Sequence, residues 1–230
     1  MREFLCGSAY FGLVLTIIAY GVGVLLKKKL KYGVLNPLLI SIILVIAAVQ
    51  ALGVDYESFY SSAKYLSYLL TPATVCLAIP LYQQLYILKE HFLAVVLGIV
   101  SGVFASLGSV LGLAILFQLN HTHYVTLLPK SITTAIGMGV SEELGGVTTI
   151  TVAAILVTGV VGNVIAETVC RLFRIKEPVA VGLAIGTSSH AIGTSKAMEL
   201  GEIQGAMSSL SIAVSGLLTV VGASVFTNFW

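Results

Sequence analysis

Residues 186–196 read Gly-Thr-Ser-Ser-His-Ala-Ile-Gly-Thr-Ser-Lys, the densest polar run in an otherwise apolar chain. Gly186 and Gly193 permit backbone turns that other residues resist. A helix broken here leaves unpaired N–H groups and a positive dipole end facing a cavity. His190 sits among hydroxyls, where it can hydrogen-bond a carboxylate or titrate near neutral pH. The alternative is a structural histidine whose bonding needs are met within the fold. Either way, the run reads as an irregular segment inside apolar surroundings.

Those surroundings are lipid. The chain has 230 residues, 57% hydrophobic and 10% charged, with a mean hydropathy of +1.02. A soluble domain carries about 25% charged residues because its surface faces water. Long apolar runs at about residues 4–26, 34–53, 92–118, 147–170 and 203–227 are each long enough to cross a bilayer. Between them lie three interrupted stretches, 56–88, 122–141 and 178–199, which hold most of the polar and helix-breaking residues.

The net charge is +2, with no long basic run, so nothing points to nucleic acid. Cys6, Cys76 and Cys170 are widely spaced in apolar stretches and read as small buried side chains. No metal or cofactor is expected. The basic cluster Lys27, Lys28, Lys29 and Lys31 follows the first apolar run. The positive-inside rule then puts the N-terminus outside and the Lys27–Lys31 loop in the cytoplasm. Arg171, Arg174 and Lys176 return to the cytoplasm only if 56–88 crosses an even number of times, so an even count is expected.

The chain also divides near residue 120 into two halves of similar plan, about 1–120 and 121–230, within one domain. If each has an odd number of full spans, the halves are inverted repeats. The fold class is therefore an all-α polytopic membrane protein whose halves each contain an interrupted or re-entrant helix.

An ionisable group at membrane depth costs about 3 kcal/mol on insertion scales. Lys130 follows Pro129 in the middle of 122–141, with Ser131, Thr133 and Thr134 after it. Pro129 cannot continue a helical ladder, so backbone groups are freed beside a cation and three hydroxyls. This reads as a site for a small anion, with a lysine snorkelling to an interface as the alternative. Glu142 and Glu143 end the stretch, and are either solvated, carriers of a coupling proton, or a balance for Lys130. Thr71-Pro72 reads as an N-cap and first helical proline, a second anion-facing helix start or an ordinary cap. Gly98-x-x-x-Gly102 and Gly108-x-x-x-Gly112 allow close helix approach, and Glu167 falls in the headgroup zone. Ser188, Ser189 and His190 do not make a hydrolase, because adjacent residues rarely form a nucleophile–base pair. The chain is not expected to be an enzyme.

These motifs resemble the LrgB/CidB family. The resemblance rests on Leu128-Pro129-Lys130-Ser131-Ile132-Thr133-Thr134-Ala135-Ile136, Gly139-Val140-Ser141-Glu142-Glu143-Leu144-Gly145-Gly146 and Lys176-Glu177-Pro178-Val179-Ala180. It continues through Gly182-Leu183-Ala184-Ile185-Gly186-Thr187-Ser188-Ser189-His190 to Thr194, and from Ala197 to Ser208. Ala135 stands where many members have proline, and Lys196 where arginine is common. The resemblance implies a fold similar to the cation/proton antiporter and anion transporter group. It also implies two functions. Bacterial members are described as antiholin-like proteins that act with a small LrgA/CidA partner on murein hydrolase activity and autolysis. Others resemble carriers of small carboxylates, pyruvate in bacteria and glycolate or glycerate in plastids.

The expectation is a facilitator or proton-coupled carrier of a small monocarboxylate in a bacterial cytoplasmic membrane. An LrgA/CidA-type partner and self-association are both compatible with it. Lys130 supplies charge, and Ser131, Thr133, Thr134, Ser188, Ser189 and Thr194 supply hydrogen bonds. Helix termini near Thr71 and Gly193 add dipole attraction. His190, Glu142 and Glu143 are the candidates for coupling. The rival is a non-transporting regulator.

Overall fold

The computed structural model describes residues 8–30 and 36–230, and all regular structure there is helical. Contacts divide the chain into two units, Met1–Cys76 and Leu77–Trp230.

In the first unit, α1 (Phe11–Leu30) packs on α2 (Pro37–Ala51) and α3 (Tyr56–Ala63). Asn36 caps α2, its side chain accepting the Leu38 N–H at 2.8 Å. Gly12 lets α3 close in, its N–H donating to Ser62 Oγ at 2.8 Å. The apolar run 34–53 appears as a helix of 15 residues, shorter than a full span. After α3 the chain continues through a 3-10 turn, Lys64–Leu69, into α4 (Leu70–Cys76). Because α4 begins at Leu70, Thr71 does not stand at its N-cap as expected. Its side chain lies outside the described residues.

The second unit opens with two short helices, α5 (Ala78–Gln83) and α6 (Leu85–Glu90). The stretch 56–88 is thus a series of pieces of six to eight residues. Eight residues of helix rise about 12 Å, so none of these crosses a bilayer alone. Then come α7 (Phe92–Phe117), α8 (His121–Leu127), α9 (Thr134–Glu143), α10 (Thr148–Leu172), α11 (Pro178–Leu200) and α12 (Glu202–Phe226). Among the described residues four helices are long and apolar enough to cross a membrane: α1, α7, α10 and α12. The chain is a polytopic, all-α membrane protein.

Two of the interrupted stretches are re-entrant hairpins. In the first, Asn120 caps α8 by accepting the His123 N–H, and Pro129 ends its ladder, leaving 128–133 outside regular helix. The chain then doubles back as α9. Thr151, near the start of α10, has its Oγ1 2.9 Å from Thr126 O on the ingoing arm and 2.7 Å from Ser141 Oγ on the returning arm. Gly137, closer to the tip, packs against Ile155, one turn deeper on α10. The hairpin therefore enters and leaves on the side of the first turn of α10. At the same end, the Tyr124 hydroxyl donates to Phe226 O of α12 at 2.8 Å.

The second hairpin is α11. Pro178 occupies its first turn. It is helical until His190, whose φ of 41° and ψ of −143° reverse the chain. A Cβ on Gly193 would lie 3.2 Å from Ile185 O, eight residues earlier, a span over which a straight helix rises about 12 Å. Contacts with α10 trace the reversal. Ingoing Val181 and Ile185 cluster with Ala166, Ser189 meets Gly162, and His190 meets Gly159. On the way out, Ile192 and Ser195 bond Asn163, and Lys196 reaches Glu167 at 3.3 Å. This hairpin enters from the end of α10 opposite to the first.

The break expected within 186–196 thus falls at His190, at neither glycine. Gly186 is needed elsewhere, since a Cβ there would sit 2.5 Å from Ser208 O of α12. Gly98 and Gly102 of α7 likewise admit Leu183 and Thr187, which is internal packing as expected, whereas Gly108 and Gly112 face open space. Gly186→Ala is expected to lower stability in detergent by about 1–3 kcal/mol through overpacking. Gly108→Ala should raise it by about 0.5–1 kcal/mol, as a helical glycine-to-alanine change does without a clash. Thermal unfolding of the two variants side by side checks the contrast.

Candidate functional site

The two hairpin tips face one cavity of about 700 Å³. From the first come Lys130 and Ser131, from the second Ser188 and Ser189, with Ser106 and Ser109 of α7 alongside. The Lys130 ammonium donates to Ser131 Oγ at 3.2 Å, and Ser131 Oγ lies 2.8 Å from Ser106 Oγ. Ser188 and Ser189 hydroxyl oxygens are 3.1 Å apart. Ser188 donates to Ala184 O at 2.7 Å, a bond that one rotation of the hydroxyl exchanges for a ligand acceptor.

Lys130 is the one formally charged residue lining this cavity, and it makes no ion pair with a carboxylate among the described residues. The remainder of the wall is mostly apolar, including Val157, Val161 and Ile165 of α10. An apolar wall with one cation and several rotatable hydroxyls suits a small anion that brings some of its own water.

Other residues singled out from the sequence lie elsewhere. Thr133 and Thr134 form the start of α9, half-buried and outside the cavity lining. Thr194 is fully buried, its hydroxyl donating to His190 O at 2.9 Å and pairing with Ser208 Oγ at 2.7 Å. Gly193 is buried against the ingoing arm. Glu142 and Glu143 are exposed at the end of α9. His190 is buried against α10, with Nε2 3.1 Å from Ile155 O. A carbonyl only accepts, so Nε2 carries the proton of that bond. The ring occupies space left by Gly159, where a Cβ would approach it to 2.7 Å.

Ser106, Ser109 and Asn163 went unnoticed in the sequence. Ser106 and Ser109 follow Gly102 at helical spacing, which puts them on one face of α7 but does not place them beside Lys130. Asn163 is the single asparagine in the apolar run 147–170, and it holds the returning arm by donating to Ile192 O at 2.6 Å and Ser195 Oγ at 3.0 Å. The cysteines differ from expectation: Cys76 is exposed and Cys170 is half-buried on the cavity wall. Cys6 lies outside the described residues. Glu167 is held by Lys196 and by Arg171 at 3.1 Å, tying the returning arm to the end of α10.

The profile of the LrgB-like family matches residues 16–229. The chain belongs to the LrgB-like family. Relatives named antiholin-like protein LrgB, from Bacillus mycoides (strain KBAB4) and Bacillus cereus (strain B4264), are each 36% identical to it over 223 residues. That is 96% of this chain and 97% of theirs, and the same holds for the protein of that name from Bacillus anthracis (strain CDC 684 / NRRL 3495). No solved structure matches. The His190 ring bonds Ile155 O, and no hydrogen bond joins it to Ser188 or Ser189 among the described residues, so the three do not form a nucleophile–base pair.

His190→Ala removes the bond to Ile155 O and is expected to lower stability by about 1–3 kcal/mol. His190→Val adds a β-branched residue at φ 41°, which costs about a further 1–3 kcal/mol. Thermal unfolding in detergent reads both. A valine variant as stable as the alanine variant would contradict a strained turn at this residue.

Proposed function

We propose that this LrgB-like protein carries a small monocarboxylate of the pyruvate or glycolate kind across the membrane. The observation behind the reading is Lys130, held at the tip of a re-entrant hairpin beside a cavity whose lining includes no acid. An unpaired cation at membrane depth is costly and is retained for function. A carboxylate entering the cavity would take one ammonium N–H from Lys130 and hydroxyl donors from Ser131, Ser188 and Ser189. A carboxylate of two or three carbons leaves most of 700 Å³ to water, so the site favours charge over shape.

His190, Gly193 and Thr194 act in this reading as positioning residues that hold the second tip. Thr133 and Thr134 start the returning arm of the first hairpin and act through its position. Coupling to protons through Glu142, Glu143 or His190 has no contact with the cavity to support it, so facilitated passage is the simpler form. Thr71, in the first unit, is assigned no contact with the substrate. The two hairpins enter from opposite ends of α10, but both lie within 121–230, so an inverted repeat of about 1–120 and 121–230 rests on the similar plan of the halves and not on this pair. Alternating access would come from one set of helices rocking against the other. The protein would lie in the bacterial cytoplasmic membrane, its N-terminus outside and Lys27–Lys31 inside, with an LrgA/CidA-type protein as partner.

The relatives' name, antiholin-like protein, favours a second reading, a non-transporting regulator of murein hydrolase activity. Uptake of labelled pyruvate into proteoliposomes, with and without an LrgA-type protein, separates the two. The carrier reading expects saturable uptake, lost in Lys130→Ala and partly kept in Lys130→Arg. Full uptake by folded Lys130→Ala would refute the site. No uptake by folded wild-type protein in either preparation would refute carriage of pyruvate.

A further inference from the structure

A second cavity, of about 510 Å³, adjoins the first. The two share Gly102 and Ala105 of α7 with Ala184 and Thr187 of α11. From this shared waist the second cavity runs past Ser101 and Ala180 to His91 and Glu177. His91 and Glu177 are the residues preceding α7 and α11, and both are exposed. Three of the four waist residues are glycine or alanine, and Thr187 packs against the glycine. A Cβ on Gly102 would come within 2.9 Å of Thr187 Oγ1, so any larger residue there intrudes on the passage or wedges the helices apart.

The opposite end differs. Beyond Lys130 and Ser131, the first hairpin buries Tyr124, Val125 and Leu128 completely within the hydrophobic core. A molecule at the tips therefore finds packed apolar side chains toward the start of α10 and a cavity toward its end.

We infer that the second cavity is the aqueous entrance to the Lys130 site, and that its waist at Gly102, Ala105, Ala184 and Thr187 limits the size of what passes. This rests on the carrier reading for the identity of the cargo, though not for the course of the passage. The entrance lies at the end of α10 that carries Arg171, Arg174 and Lys176, the face assigned to the cytoplasm by its positive charge. The structure then represents the carrier open to that face. Inward of His91 and Glu177 at the mouth, Ser101 and Thr187 place hydroxyls along an apolar wall, where a carboxylate shedding water exchanges it for hydrogen bonds.

Single cysteines at Ala180, Ala184 and Lys176, placed in full-length Cys6→Ser, Cys76→Ser, Cys170→Ala protein, test the inference in proteoliposomes. A membrane-impermeant, charged methanethiosulfonate reagent is applied from each face in turn. Ala180→Cys and Ala184→Cys are expected to react from the same face as Lys176→Cys and not from the other. Modification of Ala184→Cys should abolish its pyruvate uptake, and reduction of the mixed disulfide should restore it. Reaction at Ala180→Cys from neither face, or only from the face opposite Lys176→Cys, would overturn the entrance. Undiminished uptake by fully modified Ala184→Cys would overturn the waist. Failure of wild-type protein to take up pyruvate would refute the proposed cargo, while the labelling pattern decides the entrance by itself.

Discussion

One stripe of α10 holds both broken helices. Thr151, Ile155, Gly159, Gly162, Asn163 and Glu167 recur at helical spacing along one face. Thr151 and Ile155 serve the first hairpin, and Ile155 through Glu167 serve the second. The need behind this is general. A helix that stops inside a lipid-covered protein exposes backbone groups that no water satisfies, at several kcal/mol each unless the protein supplies partners. Here α10 supplies a hydroxyl, a carboxamide and a carbonyl as partners, and two glycines that let the reversed chain approach. Ile155 touches both hairpins, one through its side chain and the other through its carbonyl.

The same arrangement accounts for a lysine at this depth. Two arms that turn back before crossing leave a space beyond their tips that neither fills. Into it project the side chains of the turns themselves, Lys130 and Ser131 on one side and Ser188 and Ser189 on the other. Polar residues at such turns are not paired with one another across the gap, so a ligand can complete them. Because the arms are anchored to a rod through small-residue contacts, a modest shift of either hairpin would repack its seam and re-aim its tip. Gly186, Gly182 and Gly205 form the corresponding seam with α12.

Much of this was legible in the residues. Low charge revealed the lipid, and the clusters at 122–141 and 178–199 marked the irregular segments. Pro129 located the first turn because proline excludes a helical bond by its own chemistry. The second turn fell inside the run 186–196, but at neither of the glycines that the sequence offers for it. Glycine announces that a reversal is affordable but not whether close packing has a prior claim, and Gly186 and Gly193 were both taken by neighbours. His190 adopts the strained dihedrals instead, which only its bond to Ile155 O and the space at Gly159 make intelligible. Ser106 and Ser109 resemble any serine bonded back to its own helix, so their place beside Lys130 required the structure. Thr194 read as a ligand because its neighbours were polar; its actual partner, Ser208, is on another helix.

The central claim is that tips arriving from opposite ends of α10 form one anion site. A double-mutant cycle on pyruvate binding to the purified protein tests it, using Lys130→Gln, Ser188→Ala and the pair, with binding measured calorimetrically. Shared contact with one ligand predicts that the two losses fail to add, by about 0.5 kcal/mol or more. Losses that add within about 0.3 kcal/mol would mean that the tips act independently and would contradict a common site.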